Sequence, residues 1–196
     1  QAALIMTAVK SMINMLIDNE KQYGIEPYQI ITRLNNILAR GLFQDKNYMT
    51  ILFCVIDFAN NTMRYYNAGH PAMMKFNLKT RQASLVESKG SIPVGWMADF
   101  KFEKEEEGEI QMEPDTLYML YTDGIFECED NTGEQLGLEG LERFIEEKVA
   151  AENSIVIPHM IKHTLKSEHY DTTQDDFTLL SFQRRASSQQ NRLMLK

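Results

Sequence analysis

The order of its segments predicts an α+β domain for this sequence. Two helical patterns open the chain, a long β-rich region fills its middle, and two more helical patterns precede a last strand. Three observations carry that prediction. Apolar residues recur at helical spacing at Ala3, Met6, Val9, Ile13, Leu16 and Ile17; runs of β-formers separated by turn residues occupy positions 48–121; and Leu138, Leu141, Phe144, Ile145 and Val149 restore the helical period afterwards.

The first helix is expected over residues 2–20, with Gly24 separating it from a second in which Pro27 takes the first turn, where its missing N–H costs nothing. Ile30, Ile31, Leu34, Ile37 and Leu38 give the second helix one apolar face, and Gly41 is placed to stop it. Residues 48–57 read as a nearly continuous apolar strand buried on both faces, which Asn60-Asn61 turns into a strand over 63–67. Residues 72–77 and 83–87 form a hairpin across Lys79-Thr80-Arg81. Residues 100–112 follow, with Glu103, Glu105, Glu106 and Glu107 marking a solvated edge strand whose charges discourage pairing with other chains. Pro114-Asp115 starts a strand over 115–121. Helices are expected around 138–149 and over 157–166, the latter with Pro158 near its start, and residues 177–182 supply the last strand. A domain over 1–185 followed by a frayed polar tail, 186–196, completes the reading.

Composition narrows the class of function. With 196 residues, 43% hydrophobic and 24% charged, the chain can bury one sizeable core. A net charge of −8 opposes nucleic acid as main partner, because a nucleic-acid face needs a basic stripe to neutralise phosphates. No apolar run reaches the roughly 20 residues that span a bilayer, and no signal peptide opens the chain. Cys54 and Cys128 are distant and give no disulfide framework, which fits a cytoplasmic location.

Chemistry concentrates at Leu120-Tyr121-Thr122-Asp123-Gly124-Ile125, where an apolar strand ends in a carboxylate followed by glycine. Asp-Gly is also a common turn pair, so a plain strand-end turn is the alternative. Asp175-Asp176 stands at the entrance of the last strand, and adjacent carboxylates repel unless water or a cation neutralises them. Mg²⁺ and Mn²⁺ prefer such hard oxygens, so aspartates from two strand ends meeting over one sheet would suit them. No histidine or cysteine cluster at metal spacing competes.

Four motifs in order then resemble one family. Asn67-Ala68-Gly69-His70-Pro71, Ile92-Pro93-Val94-Gly95, the Thr122-Asp123-Gly124 segment through Glu127, and Asp175-Asp176-Phe177-Thr178-Leu179-Leu180 together are similar to the bacterial metal-dependent serine/threonine phosphatases of the SpoIIE/RsbU type, a branch of the PPM superfamily. The resemblance extends over nearly all of residues 1–184 and includes Gln1-Ala2-Ala3-Leu4, which looks like the start of the helix after the family's first metal motif. It implies a four-layer αββα sandwich of two mainly antiparallel sheets flanked by helices. It also implies hydrolysis of phosphoserine or phosphothreonine on a regulatory protein, by two Mn²⁺ or Mg²⁺ ions that generate a hydroxide for in-line attack. Carried over by motif, Asp123 and Asp175 are metal ligands, Gly124 permits close approach of the ion, and Asp176 supports Asp175. An anti-sigma-factor antagonist is the implied kind of substrate, and a sensor or regulatory domain the implied upstream neighbour.

One departure stands out: the family's Asp-x-x-Gly-x-Gly loop, whose Asp bridges the two ions, does not occur ahead of the Ala-Ala helix. A cut domain that binds metal poorly and turns over slowly is therefore expected. A noncatalytic regulatory module keeping the fold, or a phosphatase of small molecules, are the rival readings. His70 occupies a turn where many PPM relatives carry a metal-binding Asp; it is a possible active-site loop residue, with a hydrogen-bonding, turn-stabilising role expected of a lone histidine. His159, His163 and His169 are expected at the surface, and Met6, Met12, Met15, Met73 and Met74 in the core. Trp96 either lines a peptide groove or anchors a loop over a sheet edge.

Overall fold

The computed structural model describes residues 2–22, 24–42, 47–148 and 157–184. In chain order the elements are α1 (Ala2–Glu20), α2 (Pro27–Ile37), β1 (Ile51–Asp57), β2 (Thr62–Ala68), β3 (Met74–Asn77), β4 (Gln82–Leu85), β5 (Gly108–Gln111), β6 (Thr116–Tyr121), α3 (Gly137–Lys148), α4 (Ile157–Ser167) and β7 (Leu179–Gln183). They divide between two units: Gln1–His70 with Glu87–Gln111, and Pro71–Val86 with Met112–Lys196. The tail 186–196 and Val149 lie outside the described residues, as does the side chain of Ala3.

The first unit holds the antiparallel sheet β1-β2-β5, with α2 packed on β1 and β2 and α1 packed on α2. Ile30, Ile31 and Leu34 of α2 are fully buried with Tyr66 and Ala68 of β2, as the predicted apolar face of α2 requires. On α1, Val9 and Leu16 face that core, whereas Met6 and Met15 are exposed, against expectation. At about 100° per residue Met15 lies roughly a third of a turn off the Val9 and Leu16 stripe, and nothing in the structure explains the exposure of Met6, whose neighbour Ile5 packs against the core. Met12, Met73 and Met74 do contribute to packing.

Three further expectations are corrected in this unit. Gly41 does not stop α2 in the left-handed conformation; it sits inside a π turn, Leu38–Leu42, that continues the helix. The strand predicted over 48–57 is shorter and only half-buried, because β1 has one hydrogen-bonded neighbour among the described residues while β2, paired on both sides, is the buried strand. Residues 100–112 are not one solvated strand. Lys104–Glu106 forms a 3₁₀ turn whose capping box joins Glu103 and Glu106, and only Gly108–Gln111 pairs with β2. Within that turn Glu106 accepts the hydroxyl of the fully buried Tyr66, and Glu107 lies 3.4 Å from Arg64 while accepting the Tyr28 amide at 3.3 Å. Partners in β2 and α2 draw these two glutamates inward.

The second unit is the antiparallel sheet β4-β3-β6-β7 with α3 packed on β4 and α4 on β7. Leu117, Met119 and Tyr121 of β6 are buried with Met74 and Phe76 of β3, Leu141, Phe144 and Ile145 of α3, and Ile161 and Leu165 of α4. The β4 edge is covered: Glu146 of α3 accepts the Ala83 amide at 2.8 Å, and its carbonyl accepts Arg81 at 2.9 Å. His159, His163 and His169 are exposed, as predicted.

Candidate metal centre

Strand β6 is where the candidate site begins. Its pairing with β7 runs in register from Leu117 opposite Gln183 to Tyr121 opposite Leu179. One residue beyond, the Thr122 amide still donates to the Thr178 carbonyl at 3.1 Å, and the chain then breaks into the 3₁₀ turn Asp123–Ile125. The turn is fastened from below: Ile125 is buried in the core, and Phe126 packs edge-on against Tyr121 with centroids 6.2 Å apart. Backbone amides of Phe126 and Glu127 donate to the Asp123 carbonyl at 3.0 and 2.9 Å, so the aspartate's main chain is fixed while its side chain stays exposed.

The second segment, Asp175-Asp176, leads into β7 and lies directly against this turn. A Cβ built on Gly124 would stand 2.8 Å from the Asp176 carbonyl oxygen and 3.3 Å from the Asp175 Cβ. The Thr122 hydroxyl donates to the same Asp176 carbonyl at 2.8 Å. Asp123 Oδ1 accepts the Gly124 amide at 3.1 Å, and Asp175 Oδ1 accepts the Asp176 amide at 2.7 Å, leaving the other oxygen of each carboxylate to the solvent side. On the helical side, Lys162 of α4 lies 4.9 Å from the Phe177 ring centroid and pins the residue that follows the pair.

Asp123-Gly124 and Asp175-Asp176, two pairs far apart in sequence, therefore sit on two touching segments of the second unit. Their donor set is of hard carboxylate oxygens, the kind Mn²⁺ and Mg²⁺ take, and the missing side chain at Gly124 lets the two segments touch. Among the described residues none of the three aspartates forms an ion pair, and no group of three or more His, Cys, Asp or Glu is arranged to enclose an ion. What the described residues supply here is a set of exposed carboxylates on two adjoining segments, short of a protein cage that would enclose an ion.

His70 belongs to the other unit, in the turn after β2. Its amide donates to Asn67 Oδ1 and its carbonyl accepts Asn67 Nδ2, both at 2.8 Å. Gly69, at φ +75°, makes the turn possible, and a Cβ there would meet the Pro93 ring at 2.8 Å. Trp96 is exposed, with its ring 4.7 Å from that of the exposed Tyr48; the loop it stands on is held by Asn35, which accepts the Gly95 amide at 2.8 Å and donates to the Met97 carbonyl at 3.0 Å. Sequence reasoning passed over Thr122, whose hydroxyl bridges the two aspartate segments. A threonine next to the strand-ending Asp-Gly is the signal that could have found it, since its side chain can take backbone partners at a strand end.

Residues 1–185 match the family described as Stage II sporulation protein E (SpoIIE). Phosphoserine phosphatase RsbU of Bacillus subtilis (strain 168) is 24% identical over 184 residues, covering 94% of this chain and 52% of RsbU, so the chain spans about half the length of that relative. Among solved structures, the SiaA-PP2C domain of Pseudomonas aeruginosa superposes with a TM-score of 0.74 at 16% identity, over 93% of this chain and 69% of that one. The phosphatase domain of the cell fate determinant SpoIIE from Bacillus subtilis, presoaked with Mn, superposes with a TM-score of 0.57 at 16% identity, over 89% and 74%. At these identities the structural likeness is one of fold, PP2C-like, with two antiparallel sheets and four α-helices among the described residues.

Proposed function

Because the chain belongs to the SpoIIE family, we propose that it is a metal-dependent protein phosphatase domain that removes phosphate from serine or threonine of a regulatory protein, with Mn²⁺ or Mg²⁺ as cofactor. The observation that carries this reading is the contact of the Asp123-Gly124 turn with the Asp175-Asp176 segment, so close that only glycine fits at position 124, which brings carboxylate-bearing residues from two strand ends together. The family's four-layer αββα sandwich and a cytoplasmic place of action belong to the same reading.

Each residue then has a physical task. Asp123 and Asp175 would hold the cation through the carboxylate oxygens that the Gly124 and Asp176 amides leave unused. Asp176 supports Asp175, whose Oδ1 accepts the Asp176 amide at 2.7 Å. Gly124 keeps side-chain atoms out of the space between the segments. A bound divalent ion supplies Lewis-acid activation of water and of the phosphoryl group. The substrate fits best as a phosphoprotein of the anti-sigma-factor antagonist kind, in view of the similarity to RsbU.

The test is release of inorganic phosphate from a phosphoserine peptide, with and without added Mn²⁺, on this chain and on a form extended by any residues its gene encodes before Gln1. Free nucleotides assayed in parallel distinguish a small-molecule phosphatase. Metal-dependent turnover of the peptide that Asp123→Asn removes supports the proposal; turnover insensitive to chelator, or confined to nucleotides, opposes it.

A further inference from the structure

The hydroxyl of Thr122 occupies the place of a missing rung between β6 and β7. In the regular antiparallel pair, every second pair of opposed residues exchanges two backbone hydrogen bonds. Thr122 and Thr178 are two residues beyond the opposed Leu120 and Leu180 and so fall where the next such pair belongs, and one bond is normal, the Thr122 amide to the Thr178 carbonyl at 3.1 Å. The return bond is not. The Thr178 amide donates at 3.0 Å to the side-chain Oγ1 of Thr122 instead of to its carbonyl. That carbonyl is thereby released to accept the Ile125 amide at 3.2 Å, which closes the turn bearing Asp123 and Gly124. The hydroxyl proton in turn goes to the Asp176 carbonyl at 2.8 Å, the same oxygen that a Cβ at Gly124 would strike.

We infer that Thr122 is a positioning residue for the metal centre: its hydroxyl lets the strand pairing continue one residue further while the backbone has already turned, and so fixes the Asp175-Asp176 segment against the Asp123-Gly124 turn. The inference rests on the metal reading of these aspartates. A hydroxyl is needed because the position must accept from one amide and donate to one carbonyl at once, which a hydroxyl does and a methyl cannot. Serine would keep both bonds; valine keeps the shape and loses both.

The experiment uses the ¹⁵N-labelled chain as wild type, Thr122→Val and Thr122→Ser. Hydrogen exchange at the Thr178 amide is followed in metal-free protein, and MnCl₂ is then titrated while paramagnetic broadening of the Gly124 and Asp176 amide signals is recorded. Thr122→Val is expected to speed Thr178 exchange by about fivefold or more, the size of one lost hydrogen bond, and to raise the Mn²⁺ concentration needed for selective broadening by a similar factor. Thr122→Ser is expected to restore both, and unchanged signals from Phe76 and Leu117, in the core of the same unit, report an intact fold. Selective broadening at wild-type Mn²⁺ concentrations in Thr122→Val, or failure of serine to restore it, overturns the inference alone. Absence of selective broadening in the wild-type chain overturns the metal reading itself, and this inference with it.

Discussion

Gly124 and the Asp176 carbonyl oxygen are so close that a side chain on the glycine would sit 2.8 Å from that oxygen. Backbone on both sides makes the contact hard to relieve, because no flexible side-chain end can swing away. The φ of Gly124 is not in the left-handed region, so space and not backbone conformation demands glycine here. Gly124→Ala is therefore expected to push the Asp175-Asp176 segment outward, costing about 1–3 kcal/mol of stability as other overpacked sites do. Thermal unfolding together with Mn²⁺ titration checks it; unchanged melting and unchanged Mn²⁺ affinity would show that the two segments yield freely.

The two adjacent aspartates are expected to behave differently. Asp175→Asn should abolish Mn²⁺-dependent turnover in an active preparation, since it removes a ligand charge. Asp176→Asn should leave measurable turnover, reduced by about 10–100-fold, as is usual for a group acting on a ligand rather than on the ion. Greater damage from Asp176→Asn in the same metal titration would exchange the assignments.

Much of this arrangement was legible in the sequence, and what was missed has physical causes. The bounds of α1 and the end of β6 follow from periodicity and from Asp-Gly punctuation, both local signals. The two aspartate motifs could be paired only through family resemblance, because nothing local relates position 123 to position 175. The glutamate run misled for the opposite reason. Its charges read as solvent-facing, yet Tyr66, Arg64 and the Tyr28 amide, all remote in sequence, turn Glu106 and Glu107 inward. The burial of β1 was overestimated because a strand's apolar content does not say how many neighbours it has in the sheet. Met15 was misplaced because it lies off the Val9 and Leu16 stripe that α1 buries.

Tyr66 and Glu106 offer a direct test of that inward turn. Tyr66→Phe would leave the part-buried Glu106 carboxylate without its hydroxyl donor, at a cost of about 1–3 kcal/mol. Urea unfolding of the two proteins measures it. A midpoint equal to wild type would mean that solvent already satisfies Glu106.

Nearby carboxylates should respond to pH in opposite directions. Burial pushes the Glu107 carboxyl above its ordinary range, with Arg64 and the Tyr28 amide opposing but not cancelling the shift. A raised folded pKa means that the folded state holds the proton more tightly. Its stabilising contribution is then present at low pH and is lost as pH rises through the folded value. The hydrogen bond from Lys104 holds Glu26 below its ordinary range, so its contribution is present above the unfolded value and lost as pH falls. Unfolding measured from about pH 3 to 7, across the carboxylate range, should show Glu107→Gln gaining on wild type as pH rises and Glu26→Gln gaining on it as pH falls. Parallel curves for the two variants would contradict both shifts.

The central claim, that Asp123 and Asp175 bind one divalent ion, is tested most directly by anomalous scattering from a crystal soaked in MnCl₂. The account predicts a manganese peak on the Gly124 side of the second unit, with carboxylate oxygens of both Asp123 and Asp175 at about 2.0–2.6 Å. Manganese bound only elsewhere on the chain, or to one of the two aspartates with the other turned away, would contradict it.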